Sequence, residues 1–178
     1  ACPNQAGNST QGNRLGCVDD DGDGWDNAID ELPLTPTQWL DQDGDGYGDN
    51  ATGIEADSCP GDAGTSTIDR FGCPDDDSDG VSNLSDAFPN DPTRTQDSDG
   101  DGYDDSEDNC IFVAGNSTAD RTGCIDTDGD GYSDVTVPTN TTVGWNISDG
   151  ADAFPIEVSQ WADQDGDGYG DNASGFEA

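Results

Sequence analysis

Apolar residues fall in no long runs along this 178-residue chain and are separated by Asp, Gly, Ser and Thr. They never recur at the three-to-four-residue spacing of an amphipathic helix, and they do not alternate over a length that would build a half-buried strand. The pattern predicts an irregular, coil-rich fold with little regular secondary structure. One segment differs. Val135 to Ser148, with its Val and Thr residues, Trp145 and Ile147, reads as a short β-hairpin with Asn140 and its Thr neighbours in the turn. The linker residues Leu32, Trp39, Phe88, Phe154 and Trp161 are too few for one large core and are expected to pack as small local ones.

What does recur is polar. Asp-x-Asp-x-Asp-Gly occurs six times, beginning at Asp19, Asp41, Asp75, Asp97, Asp126 and Asp163. Three carboxylates at alternate positions put hard oxygen donors on one side of a tight turn. Gly at the sixth position permits the bend that turns the next carbonyl toward the same ion. This is the spacing of a calcium loop, and six copies in register imply six or more calcium ions. Magnesium is the rival metal, but a dense carboxylate set suits the larger and more adaptable calcium sphere.

Numbering each loop from its first Asp gives the expected ligands. Positions 1, 3 and 5 are Asp19, Asp21 and Asp23; Asp41, Asp43 and Asp45; Asp75, Asp77 and Asp79; Asp97, Asp99 and Asp101; Asp126, Asp128 and Asp130; Asp163, Asp165 and Asp167. Position 7 offers its carbonyl, from Trp25, Tyr47, Val81, Tyr103, Tyr132 and Tyr169. Position 9 is Asn27, Asp49, Asn83, Asp105, Asp134 or Asp171, and its use is open among ligation through water, direct ligation and a second ion. A closing carboxylate belongs at position 12, where Asp30, Asp86 and Asp108 stand. The other three loops carry Thr52, Val137 and Ser174 there. Their registers point past inserted residues. Asp57 lies two before Cys59 as Asp108 lies two before Cys110, and Asp152 precedes Phe154-Pro155 as Asp86 precedes Phe88-Pro89. Asp57 and Asp152 are thus expected to close the second and fifth loops. Glu177 serves the sixth, or its partner lies beyond Ala178.

Charge makes the metal necessary. With 41 acidic residues against four Arg, no Lys and no His, the formal charge is −37 and only 29% of residues are hydrophobic. Such a chain is disordered unless something neutralises it. Six ions of charge +2 bring −37 to −25, and twelve bring it to −13, so metal affinity becomes folding free energy. There is no basic patch for nucleic acid and no apolar run long enough to span a membrane.

Six cysteines frame the repeats as Cys2 and Cys17, Cys59 and Cys73, Cys110 and Cys124. Fifteen pairings are possible; pairing within each bracket closes loops of about 15 residues, worth roughly 3 kcal/mol each in the chain-entropy model. Zinc is disfavoured, since there is no Cys-x-x-Cys and no His. Disulfides place the chain in an oxidising, extracellular or cell-surface setting. Each bracket is followed by two calcium loops, giving repeats over 1–58, 59–109 and 110–178. Arg14, Arg70 and Arg121 share one repeat position, where a carboxylate or backbone carbonyl is the expected partner. The chain opens in mid-repeat and closes on Gly175-Phe176-Glu177-Ala178, which matches Gly53-Ile54-Glu55-Ala56, so it reads as a piece of a longer tandem array.

The Asp loops alternating with Cys-Pro-like segments, Asp57-Ser58-Cys59-Pro60 and Asp97 through Cys110 above all, resemble thrombospondin type 3 repeats. The resemblance covers nearly the whole chain except 135–148 and fits a microbial surface or fibre protein. It implies an elongated coil wound around a row of calcium ions, held by disulfides, sometimes with two ions per motif. The inserts before Asp57 and Asp152, and Asn at position 9 in two loops, depart from that pattern. EF-hands and dockerins share the loop but need amphipathic flanking helices, which this chain lacks.

Seven Asn-x-Ser/Thr sequons occur, at Asn8, Asn50, Asn83, Asn116, Asn140, Asn146 and Asn172. Chance in this composition gives about two, so N-glycans are expected partners. Asn83 is also at a position 9, where a glycan would discourage ligation. The leading function is an extracellular, calcium-stabilised structural repeat forming a fibre or surface stalk, with neighbouring repeats of the same array as partners. The alternatives are an adhesion or matrix-binding module using 135–148 and a calcium-buffering polymer. No catalytic constellation stands out, and the chain is not expected to be an enzyme.

Overall fold

Turns, rather than helices or strands, carry this backbone. The computed structural model describes residues 2–4, 6–136 and 144–172. Its one regular element among them is a short 3-10 turn, Ile147–Asp149, capped by the Asn146 side chain and ended by left-handed Gly150. A single antiparallel bridge joins Thr136 to Trp145. The hairpin expected over 135–148 is represented by that bridge alone; residues 137–143, with Val137 and Asn140, lie outside the described residues, as do Ser174 and Glu177.

Backbone polar groups are satisfied loop by loop. In all six Asp loops the position 9 N–H donates to the carbonyl just before position 1. Examples are Asn27 to Val18 at 2.9 Å, Asp105 to Gln96 at 2.8 Å and Asp134 to Ile125 at 2.7 Å. A neutral hydrogen bond of this kind contributes only about 1 kcal/mol, but an unpaired buried amide would cost more.

The three disulfides are Cys2–Cys17, Cys59–Cys73 and Cys110–Cys124, each with Cα atoms 5.1 Å apart. Such bonds form in an oxidising compartment. Inside each bracket a buried Ser bridges the bend. Ser66 Oγ donates to the Arg70 carbonyl and accepts from Cys73 N–H, and Ser9 and Ser117 do the same. Among the described residues the buried apolar side chains are Cys17, Cys73, Cys124 and Ala151; the rest of the interior is Asp, Ser and Gln.

Aromatic contacts link neighbouring elements. Trp39 stacks on Trp25 and Trp161 on Tyr132, with centroids 5.7 and 4.8 Å apart. Each linker Trp thus stacks on the position 7 ring of the preceding loop. Phe88 lies under the Arg94 guanidinium at 3.8 Å. The buried side chains beside the two Trp residues are amides. Gln38 bonds Asn50 N–H and the Asn50 and Ile54 carbonyls, and Gln160 repeats the pattern on Asn172.

The chain divides into two units, Ala1–Thr95 and Gln96–Ala178. The division falls inside the second repeat, between its two loops. Each later Cys bracket is clamped by the loop before it and the loop after it. Gly64 N–H donates to Asp45 Oδ2 while Thr67 and Ile68 N–H donate to the Gly80 carbonyl. In the second unit Gly115 donates to Asp101, and Thr118 and Ala119 to Gly131. The tightly connected module is therefore loop, bracket, loop.

Candidate metal centres

Each loop is built by its own carboxylates acting on its own backbone. The position 1 Asp accepts two N–H groups, from positions 4 and 6. For Asp19 these are Gly22 at 2.7 Å and Gly24 at 3.1 Å, and for Asp126 they are Gly129 and Gly131 at 2.7 and 2.8 Å. Asp41, Asp75, Asp97 and Asp163 repeat this arrangement. One oxygen of the position 3 Asp accepts the position 5 N–H, and one oxygen of the position 5 Asp accepts the position 7 N–H. Asp21, Asp23, Asp99 and Asp101 illustrate the pair. Position 6 is left-handed throughout, from Gly24 at φ 106° to Gly168 at φ 85°. So is position 4, which is Gly in five loops and Ser78, at φ 65°, in the third. That second requirement went unread in the sequence, although the column of Gly22, Gly44, Gly100, Gly129 and Gly166 displays it.

This wiring leaves the second oxygen of Asp21, Asp23, Asp43, Asp77, Asp79, Asp99, Asp128 and Asp130 without a donor, while Oδ2 of Asp45 and Asp101 accepts the N–H of Gly64 and Gly115. In the loops at 19, 41, 75, 97 and 126, one oxygen from each of the three Asp residues lies within 4.8 Å of the other two. The closing residues follow one rule. Asp30, Asp86 and Asp108 donate their N–H to the position 8 carbonyls of Asp26, Ser82 and Asp104. Asp57 and Asp152, displaced in sequence, donate to the position 8 carbonyls of Gly48 and Ser133, both at 2.9 Å. All five also turn Oδ1 onto the N–H two residues ahead, at 2.6–2.7 Å. The inserted residues are looped out around a conserved geometry.

The remaining oxygens are the informative atoms. Oδ2 of Asp21, Asp23, Asp43, Asp57, Asp77, Asp79, Asp86, Asp99, Asp128, Asp130 and Asp152 is buried with no hydrogen-bond donor, as is Oδ1 of Asp49. Asp57, Asp86 and Asp152 are themselves only 6%, 8% and 1% exposed. Burial, reinforced by the loop carboxylates, raises the pKa of Asp30, Asp57, Asp86 and Asp108. Asp152 is pushed up to about 7, by burial first and then by Asp130, Asp128 and Asp134. Buried, uncompensated charge of this density is costly. A cation would remove the cost, and an all-oxygen set of carboxylates fits a hard divalent ion such as calcium.

Position 9 has an occupation beyond those the sequence left open. Its side chain braces position 2. Asn27 accepts from Asp20 N–H and donates to Asp20 Oδ2, and Asn83 accepts from Asp76 N–H. Asp105 accepts both Ser98 N–H and Oγ–H, Asp134 does likewise with Thr127, and Asp171 accepts from Gln164 N–H. Asp49 is the exception among the described contacts, with its buried Oδ1 lacking a donor. The pairs at positions 2 and 9 are Asp20/Asn27, Gln42/Asp49, Asp76/Asn83, Ser98/Asp105, Thr127/Asp134 and Gln164/Asp171. Each pair contains a single acid, so two carboxylates never oppose each other.

A second compensating pair joins bracket to loop. Asp69 and Asp120 accept from the N–H and hydroxyl of Ser82 and Ser133 at position 8. Burial opposes the charge on Asp69, but these bonds and one from Ser85 hold its pKa well below the usual carboxylate range. In the first repeat the acid has changed sides. Asn13 replaces the bracket Asp, and Asp26 occupies position 8 and pairs with Arg14 Nε. Arg121 instead donates to the Asn109 carbonyl at 3.1 Å, while Arg70 lies 3.5 Å from Cys59 Sγ.

Of the sequons, Asn8, Asn116 and Asn146 are exposed, while Asn50, Asn83 and Asn172 are half-buried. Asn50 Nδ2 donates to the Thr37 carbonyl and Asn172 Nδ2 to that of Ser159. No helix among the described residues is long and apolar enough to cross a membrane. A scan against protein-family models gives no match, and none of the curated proteins compared with the chain matches it.

Proposed function

We propose that this chain is an extracellular, calcium-stabilised structural repeat protein of the thrombospondin type 3 kind, N-glycosylated, and used as a fibre or cell-surface stalk. The observation carrying the reading is the set of buried Asp oxygens without donors, which recurs loop after loop and includes those of Asp57, Asp86 and Asp152. Calcium would be held by the position 1, 3 and 5 carboxylates and the position 7 carbonyl, with the closing Asp completing the sphere. Position 9 serves there as a brace rather than a ligand in five loops. With so little apolar interior, removing the ions removes the reason to fold. Exposed Asn8 and Asn116, at one repeat position, are the first glycan sites to expect.

The adhesion reading draws less support. Trp145 is half-buried, with Arg121 5.1 Å from its ring centre, so it serves packing on its visible side. The test of the main reading is calorimetric calcium titration with small-angle X-ray scattering before and after excess chelator. Uptake of six or more ions, and a stiff particle that swells to a coil on chelation, are expected. A scattering profile indifferent to chelator would overturn it.

A further inference from the structure

Two of the seven sequons are tied into the fold by their own acceptor amides. Asn50 Nδ2 donates to the Thr37 carbonyl at 2.7 Å and its backbone N–H to Gln38 Oε1 at 3.0 Å, while its carbonyl accepts from Gln38 Nε2 at 3.3 Å. Asn172 repeats all three contacts, on the Ser159 carbonyl at 2.8 Å and on Gln160 at 3.0 and 3.3 Å. The knot is closely built. Gln38 and Gln160 are 1% and 2% exposed, and a Cβ on Gly48 or Gly170 would stand 2.2 or 2.0 Å from their Oε1 atoms. Thr37, at φ 90°, holds a left-handed backbone that a β-branched residue rarely adopts, and its Oγ1 accepts the Ile54 N–H at 2.9 Å.

Asn116 and Asn146 are placed otherwise. Both are exposed. Asn116 lies in the Cys110–Cys124 bracket, fixed by its backbone N–H, which donates to the Cys124 carbonyl at 2.9 Å. The Asn146 amide bonds Ser148 and Asp149, two and three residues on, inside one exposed turn. Freeing that amide breaks contacts within the turn. Freeing the Asn50 or Asn172 amide breaks a contact to chain 13 residues away.

We infer that, once the loops have closed, sugar is transferred to Asn116 and Asn146 and refused at Asn50 and Asn172, with Gln38 and Gln160 as the positioning residues that impose the refusal. Transfer from a lipid-diphosphate-linked oligosaccharide forms a C–N bond between Nδ2 and the anomeric carbon. It breaks that carbon's bond to the phosphate oxygen; the diphosphate leaves with the electron pair, and Nδ2 gives up one proton to a base of the transferase. Nδ2 must therefore leave the Thr37 or Ser159 carbonyl and enter an enzyme cleft with its backbone drawn out. The rate falls by the population of the opened knot. The inference rests on the reading of the chain as an N-glycoprotein.

The test is transfer in vitro by a purified oligosaccharyltransferase to the unglycosylated full chain in millimolar calcium, with the chelated, disulfide-reduced chain as the open reference. Peptide mass spectrometry reads each site over time, and each folded rate is divided by the rate at the same site in the open chain. The ratio should be at least about tenfold lower at Asn50 and Asn172 than at Asn116 and Asn146, equivalent to about 1.4 kcal/mol of opening. Gln38→Ala should raise the ratio at Asn50 and leave Asn116 where it was, and Gln160→Ala should do the same for Asn172. Equal ratios at all four sites, or ratios at Asn50 and Asn172 indifferent to these substitutions, would overturn the inference alone. An open chain that takes sugar at none of its sequons would overturn the glycoprotein reading, and the inference with it.

Discussion

At the scale of single residues, each loop Asp divides its labour between holding the backbone and facing the centre. The backbone shape this requires is left-handed at positions 4 and 6. Around Gly100 there is no atom within 4 Å of an added Cβ, so Gly100→Ala meets only backbone strain. It should cost about 1 kcal/mol in a calcium-saturated denaturation curve. Ser78→Gly should move the midpoint the other way, by less, since Ser78 already sits at φ 65°. The bracing pairs make a sharper prediction. Asn27→Asp sets two carboxylates against each other and should destabilise by about 1 kcal/mol, and Asp20→Ser in the same chain should restore most of it. A double-mutant cycle measures this directly. The single acid in every such pair could be read along the chain, but only after the contact had shown which columns to compare.

Among the elements, closure is the organising event. The carbonyl at position 8 receives the closing N–H whether the closing Asp follows directly or after an insert. Asp57 and Asp152 were legible from the Cys-Pro and Phe-Pro landmarks, since the repeat keeps its register beyond an insertion. Asp152→Asn removes a charge from the most deeply buried of these groups. The expected result is loss of one high-affinity step from the calorimetric calcium titration, with a drop of about 10-fold or more at that loop. An unchanged titration would place Asp152 outside the fifth site. The stacking of Trp39 on Trp25 and Trp161 on Tyr132 was less legible. A ring at position 7 suggests a carbonyl donor with an idle side chain, and only the fold brings it over the linker Trp. The repeat frame places the aromatic, and the turn decides its neighbour.

For the whole molecule, repulsion is the opposing term, and protons can substitute for metal. The Asp152 carboxyl, pushed up to about 7 from 3.8, keeps its proton in the metal-free fold over a range where the unfolded chain releases it. The folded state binds more protons there, so metal-free stability falls as pH rises from about 4 to about 7. Asp30, Asp57, Asp86 and Asp108 are raised too and act in the same direction. With calcium present the sign reverses, because ligation requires ionised carboxylates and acid expels the ion. Near-UV circular dichroism should therefore find the chelated protein more ordered at pH 5 than at pH 7.5, and the calcium form the opposite. An identical pH trend with and without calcium would contradict this account.

The sequence by itself determined the coil-rich character of the chain, the six carboxylate loops and their first three oxygen positions. These depend on residue type at fixed local spacing, where a turn of six residues leaves few alternatives. The within-bracket disulfides followed from the same local logic, since pairing inside each bracket closes the shortest loops. What only the tertiary structure decided lies between segments: the brace from position 9 to position 2, the swap of an acid between Asp26 and Asp69, the Gln38 and Gln160 struts, and the clamping of each later bracket by two loops. Those contacts join residues 7 to 19 positions apart through bends set by many φ and ψ angles together. No single spacing along the chain encodes them, because the hydrogen-bond partner is chosen by where the folded turns place it.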